Sequence, residues 1–206
     1  GSKMNLEVFE GKTKEDALKK ALESLNVSEN EILYLEEEKK GKLFKSSTYL
    51  IKAIKIADIS EFIKNSVKEL LTNMNIDTQI ETSIRDSQIN LKLYSDKNNI
   101  LIGRNGQTLM AIQTVLRQQV YKEIGLYPYI LLDVENYKEK KIKNLERNAK
   151  RIAKEVIKTK AEVKLDDMNS YERRIVHNAL SEFKNISTTS EGEEPNRHIV
   201  ISYIEN

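Results

Sequence analysis

Two short stretches hold the residues whose types and spacing can do chemistry. In LIGRNGQTLMAI (101–112), Gly103 and Gly106 enclose Arg104 and Asn105, and Gln107 and Thr108 follow. The chain has only seven glycines in 206 residues, so two of them around an arginine call for a reason. A loop without Cβ atoms lets its backbone come close to another backbone. A helix starting behind it directs N–H groups and the positive end of its dipole at phosphate. Arg104 can add charge-assisted hydrogen bonds. The chemistry is anion recognition. A lone Gly-x-x-Gly is weak evidence, since a plain helix–helix turn also produces one.

The second stretch is YERRIVH, in which Arg173 and His177 stand four residues apart. On a helix they share one face. Downstream, SEGEEPNRHIVI supplies Ser190, Gly192, Pro195 and Arg197 to a turn and strand. Arg173 and His177 can contact a phosphate or base, or they can bond backbone carbonyls within the fold. We expect the contact role for Arg173, exposed at the rim, and the structural role for His177. An arginine needs water or an anion, whereas a neutral imidazole does not.

Composition narrows the alternatives. The chain has no Cys and two His, His177 and His198, which rules out disulfides and thiolate metal sites and argues against a His-rich one. Glu191, Glu193 and Glu194 with His177 could be imagined as a metal nuclease site, but these acids sit in a turn typical of a surface. No phosphate loop of the ATPase type is present. We therefore expect no enzyme activity, no cofactor and no metal. No apolar run approaches the ~18–20 residues of a membrane span, and no signal peptide is seen, so a cytoplasmic protein without direct membrane insertion is expected. Gly1-Ser2-Lys3 before Met4 reads as a cloning scar.

Net charge is +2, but it is unevenly distributed. Between Lys138 and Lys160 ten Lys/Arg face three acids, while residues 4–57 balance ten Lys against ten Asp/Glu. A basic stretch in a balanced chain suggests a polyanionic partner, or simply a solvated helix face.

Hydrophobic periodicity gives the elements that must position these residues. A strand is expected over 5–10, then a helix capped by Thr13, and strands at Ile32–Leu35 and Thr48–Ile56. Ser60 reads as the cap of a helix carrying Phe62, Ile63, Val67, Leu70, Leu71 and Met74. Strands at 77–84 and 88–94 flank a turn at Arg85-Asp86-Ser87. A helical turn over Lys97–Ile102 leads to the glycines, a helix runs from Gly106 to Ile124, and YILLDV reads as a buried strand. From Tyr137 a long basic helix runs on. A second helix follows with Asp166 or Asp167 near its cap, then two strands. The fold class is α+β or α/β, in three abutting units at 4–57, 59–136 and 137–206.

The middle unit, α-β-β-α-α-β with Ile102-Gly103-Arg104-Asn105-Gly106 between two helices, resembles a type II KH domain. Such domains clamp single-stranded nucleic acid. The last unit, with YERRIVH and SEGEEPNR, resembles the small domain named for its Arg-x-x-x-His motif, which binds single-stranded nucleic acid. With GKTKEDALKKALESL at 11–25 and DVENYKEKK at 133–141, nearly the whole chain resembles one bacterial family: the SpoIIIJ-associated protein Jag, also called KhpB or EloR. The family's first unit usually carries a Lys-Lys-Gly-Phe-Leu-Gly-type loop. Here Lys39-Lys40-Gly41-Lys42-Leu43-Phe44 lacks the last glycine and delays the aromatic.

The resemblance implies an RNA-binding regulator of elongation, division or sporulation. Its partners would be single-stranded RNA (or single-stranded DNA), a small single-KH protein, a SpoIIIJ-type insertase and a second copy as a homodimer. Its contacts would come from Gly103, Arg104, Asn105, Gly106, Gln107 and Thr108, and from Arg173, His177 and Arg197. The competing reading is a protein adaptor of the insertase, with nucleic acid secondary.

Overall fold

The computed structural model describes residues 3–205 and divides into two compact units, 1–135 and 136–206. In the first, β1 (Glu7–Gly11) and β2 (Ile32–Lys39) pair antiparallel with β3 (Thr48–Lys55), giving the order β1-β3-β2. Helix α1 (Lys14–Leu25) packs on this sheet through Ala17 and Ala21, which are fully buried against Ile32, Ile51 and Ala53. The small side chains, one turn apart, let the helix lie close to the strands. Thr13 caps α1 as expected, accepting the Asp16 N–H at 3.1 Å.

Helix α2 (Ile56–Asn73) follows β3 without a linker. Ser60 is not its cap: it lies in the second turn and is buried. Lys55 takes the cap position and offers no side-chain bond. An early start lets Ile56, Ile59 and Ile63 bury one helix face. Each such side chain is worth about 1.5–3 kcal/mol, against about 1 kcal/mol for a cap.

Strands β4 (Thr78–Arg85) and β5 (Gln88–Ser95) form a hairpin turned by Asp86 and Ser87, whose φ values are 50° and 63°. Positive φ at both residues gives the two-residue turn whose twist matches the strands. Strand β6 (Tyr129–Val134) runs parallel to β5, so the order is β4-β5-β6. Helix α3 (Asn98–Ile102), the glycine loop and helix α4 (Gln107–Ile124) intervene. Helices α2 and α4 touch each other and the sheet. They bury Val67, Leu71, Leu116 and Val120 with Ile89, Leu91, Leu93 and Leu132. Strand β6 is not buried throughout: Ile130, Leu132 and Val134 are buried, whereas Tyr129 and Leu131 are exposed. Alternation along a strand puts that second pair on the opposite face from the helices.

The first two sheets lie within the same unit. The Ser87 hydroxyl donates to the Asn30 carbonyl at 2.6 Å, and the Met4 amide donates to Glu123 at 3.3 Å.

The second unit holds α5 (Tyr137–Thr159), α6 (Ser170–Leu180) and a sheet β7-β9-β8 made of Val163–Lys164, His198–Tyr203 and Ile186–Glu191. Ala149, Ala153 and Val156 of α5 meet Val176 and Leu180 of α6 and Ile186, Ile199 and Ile201 of the sheet. The cap of α6 is Asn169, not Asp166 or Asp167. Its side chain accepts the Glu172 N–H at 2.9 Å, and the Glu172 carboxylate accepts the Asn169 N–H at 3.1 Å. This reciprocal pair satisfies two end-of-helix donors, which a single Asp would not. Glu172 also holds Lys141 of α5 at 2.8 Å. Burial lowers the pKa of the Lys141 ammonium, but the Glu172 hydrogen bond and charge outweigh it and hold the group above the ordinary lysine value.

Candidate nucleic-acid interface

The glycine loop is built by left-handed backbone. Gly103 sits at φ 68°, ψ −177°, a conformation essentially reserved for glycine. Asn105 follows at φ 53° and Gly106 at φ 77°. The Gly103 amide closes α3 on the Asn99 carbonyl at 2.9 Å, and the Gly106 amide turns back to the Gly103 carbonyl at 3.3 Å. A Cβ on Gly103 would collide with the Thr108 side chain and stand 3.0 Å from the Thr108 nitrogen.

Thr108 is therefore a wall of the loop, half-buried, and the reason Gly103 has to be glycine. Arg104, Asn105 and Gln107 are exposed, while Gly106 is buried. No side chain caps α4. Leu109 and Ile112 are buried, as the sequence pattern required. The exposed arginine and the open helix start can together receive an anion. Ile100 on α3 and Met110 on α4 stand exposed beside the loop, at 54% and 67%. Met110 lies off the face of Leu109, Ile112 and Leu116, and Ile100 stands in a helix too short to show a period, so neither is singled out by the sequence pattern.

In the second unit Arg173, expected at an exposed rim, is held inside the fold, while His177 is exposed and hydrogen-bonded within the same unit. The Arg173 guanidinium donates to the Met168 carbonyl at 2.7 Å and pairs with Glu194 at 2.8 Å, with only 11% of its side chain exposed. It ties the start of α6 to the β8–β9 turn. It is not at an exposed rim, because these two acceptors replace the water or anion it needs. His177 is exposed and shares a hydrogen bond with the Thr188 hydroxyl, 2.6 Å from its Nδ1.

Arg197 donates through Nε to the Ser190 hydroxyl at 2.8 Å. Thr188 and Ser190 are two apart on β8, hence on one face of an edge strand. The structure thus brings His177 and Arg197 to neighbouring positions on β8, while Arg173 is engaged by Met168 and Glu194. His198, unassigned from sequence, is buried, with Nδ1 3.1 Å from the Asn196 carbonyl and 3.6 Å from Asp167. Nothing in its spacing distinguished it from a surface histidine.

Helix α5 presents Lys143, Arg147, Lys150, Arg151, Lys154 and Lys158 along one side. Glu139 pairs with Lys143 and Glu155 with Arg151, each one turn away, so part of this charge is locally neutralised. The Glu139 bond holds the Lys143 ammonium above its ordinary pKa.

Comparison with known proteins matches three family models in chain order. They are the Jag N-terminus over residues 9–54, the KhpA/KhpB KH domain over 60–123, and the Arg-x-x-x-His (R-x3-H) domain over 143–203. Among curated relatives, the RNA-binding protein KhpB of Clostridium symbiosum is 36% identical over 204 residues, covering 97% of this chain and 92% of that protein. That of Bacillus subtilis is 30% identical over 199 residues, covering 94% and 96%. That of Lactiplantibacillus plantarum is 31% identical over 144 residues, covering 70% of this chain and 44% of the longer relative.

Proposed function

The chain belongs to the KhpB family, also called Jag, and on that premise we propose that it binds single-stranded RNA through two surfaces. The first is the loop Gly103–Gly106 with Gln107, walled by Thr108. The second is the edge of β8 where His177 and Arg197 meet. We assign the units as a Jag N-terminal domain at 4–57, a type II KH domain at 59–136 and an Arg-x-x-x-His domain at 137–206.

The observation that carries this proposal is the exposed Arg104 beside Asn105, the latter left-handed between Gly103 and Gly106, at the start of a helix that no side chain caps. That arrangement offers backbone donors and a cation to a phosphate, with no Cβ in the way. Lys and Arg of α5 add attraction independent of sequence.

The reading assigns binding and no bond-breaking step: Glu194, one of the acids a nuclease site would use, is held by Arg173. Action on transcripts in elongation, division or sporulation, and contacts with a small single-KH protein, a SpoIIIJ-type insertase or a second copy, rest on the family resemblance. Among the described residues no helix is long and apolar enough to cross a membrane, and the cytoplasm is the location this reading assigns. The direct test is titration of a labelled single-stranded RNA with the parent protein and with the Arg104→Asp/Asn105→Asp variant. Equal affinity would refute it.

A further inference from the structure

The largest apolar exposure in the described residues lies far in sequence from both surfaces. Phe44 is 107% exposed and Leu43 88%, above every other large hydrophobic side chain. Both sit at the tip of the loop joining β2 to β3. Their φ values, 67° and 36°, are positive, which bulky side chains avoid. Gly41 makes room for this: a Cβ there would collide with the Lys45 carbonyl, over which the loop folds back. The chain thus holds two apolar side chains in water on a costly backbone.

Lys39, Lys40, Lys42 and Lys45 surround the tip, and all four are exposed. None of them is in an ion pair found among the described residues. The acids of β2 do not balance them: Glu36 is paired with Lys14 at 2.6 Å and Glu37 with Lys52 at 3.1 Å. That leaves Glu38 against four lysines.

We propose that this tip docks on an anionic phospholipid surface, with Leu43 and Phe44 entering the acyl boundary and the four lysines resting among the headgroups. Size favours a bilayer over a protein groove. One aromatic and one leucine cover a few hundred Å² at most, against roughly 800 Å² per partner in a stable protein interface. A soft apolar phase needs no matching pocket. Nucleic acid would leave Leu43 without a partner, since a leucine has no ring face to stack. One apolar insertion plus a basic ring gives reversible attachment rather than a permanent anchor. The inference is independent of the RNA reading.

The chain has no Trp, so Phe44→Trp places a single reporter at the tip. Full-length protein is mixed with vesicles of phosphatidylethanolamine and phosphatidylglycerol in equal parts, or of phosphatidylcholine alone. Emission should shift to the blue with the anionic vesicles only, and salt should reverse it. A Tyr171→Trp control, exposed in the other unit, should not shift. In sedimentation, Leu43→Ser/Phe44→Ser should lower vesicle binding by about tenfold or more. Lys40→Gln/Lys42→Gln should lower it by about fivefold per lysine. Both variants should keep the parent's melting temperature and RNA affinity. No shift with anionic vesicles would overturn the proposal. A shift produced by RNA alone would reassign it to nucleic acid. Unchanged sedimentation of the serine variant would overturn it too, by showing that lipid is held elsewhere, as on the basic face of α5.

Discussion

Arg173 and His177 are one turn apart on α6, yet the arginine is satisfied inside the protein and the histidine is open to solvent. The guanidinium holds Met168 and Glu194, and the imidazole rests on Thr188 at the surface. This separation turns a motif read as one unit into two testable halves. Arg173→Ala should lower stability by about 1.5–3 kcal/mol, the range for hydrogen bonds to a charged group. RNA affinity should fall only as far as unfolding explains. His177→Gln should leave stability within ~0.5 kcal/mol and weaken RNA binding. Denaturant midpoints and titrations on the same two proteins decide the matter. A stable Arg173→Ala protein with lost affinity would reverse the assignment.

The glycine loop predicts a larger electrostatic effect. Arg104→Asp/Asn105→Asp places carboxylates where phosphate is expected. A like-charge pair ~4 Å apart at an effective dielectric of ~20 costs about 4 kcal/mol, roughly three decades of affinity for that surface. The melting temperature should hold, because both positions are exposed and Asp tolerates the left-handed backbone of Asn105 nearly as well as Asn does.

Gly103→Ala tests the loop's geometry rather than its charge. The new Cβ meets Thr108 and adopts a φ of 68°. Strain of this kind costs about 1–3 kcal/mol, read as a drop in melting temperature. Thr108→Gly in the same chain removes the collision and leaves the backbone strain. Gly103→Ala should therefore cost less in a Thr108→Gly background than in the parent, and an equal cost in the two would mean that Thr108 is not the wall.

Most elements were legible because their periods are long and clean. Helix α4 repeats Leu109, Ile112, Leu116 and Val120, and β5 alternates Ile89, Leu91 and Leu93. The bend at Gly103–Gly106 was legible because only glycine adopts such backbone cheaply. The misses have different physical causes, some long-range and some local. From the sequence Arg173 reads as an exposed contact, because Glu194, its partner, lies on a distant turn. Ser60 reads as a cap, but burial of Ile56 starts the helix earlier. Asp166 and Asp167 lost the α6 cap to Asn169, whose reciprocal bond with Glu172 uses two donors. Strand β7 has two residues, too few for an alternation to show.

The Glu172–Lys141 pair gives the pH prediction. Lys141 is held above its ordinary pKa when folded, so its stabilising contribution is complete below the unfolded value and is lost as pH rises through the folded one. Glu172→Gln keeps an acceptor for the Asn169 amide and removes the charge. At neutral pH it should cost about 0.5–1 kcal/mol, modest because Lys141 remains 39% exposed. The difference from the parent should vanish only in the alkaline range above the ordinary lysine pKa. Denaturation curves at neutral and strongly alkaline pH measure this, and a gap that persists at high pH would assign the cost to the cap alone.

Salt dependence asks whether the two surfaces act on one strand. If each engages about three or four phosphates, log affinity for a long single-stranded RNA should fall against log salt with a slope of roughly −4 to −6, at ~0.7 per phosphate. A short RNA that fills one surface should show about half that slope. The long RNA should also bind more tightly, by about a hundredfold, because the second contact forms at the effective concentration set by the first. His177→Gln with Arg197→Gln should bring the long RNA to the short RNA's slope and affinity. Arg104→Asp/Asn105→Asp should do the same from the other side. Equal slopes for short and long RNA in the parent would mean that one surface carries all the binding, and that the charge on α5 is simply solvated.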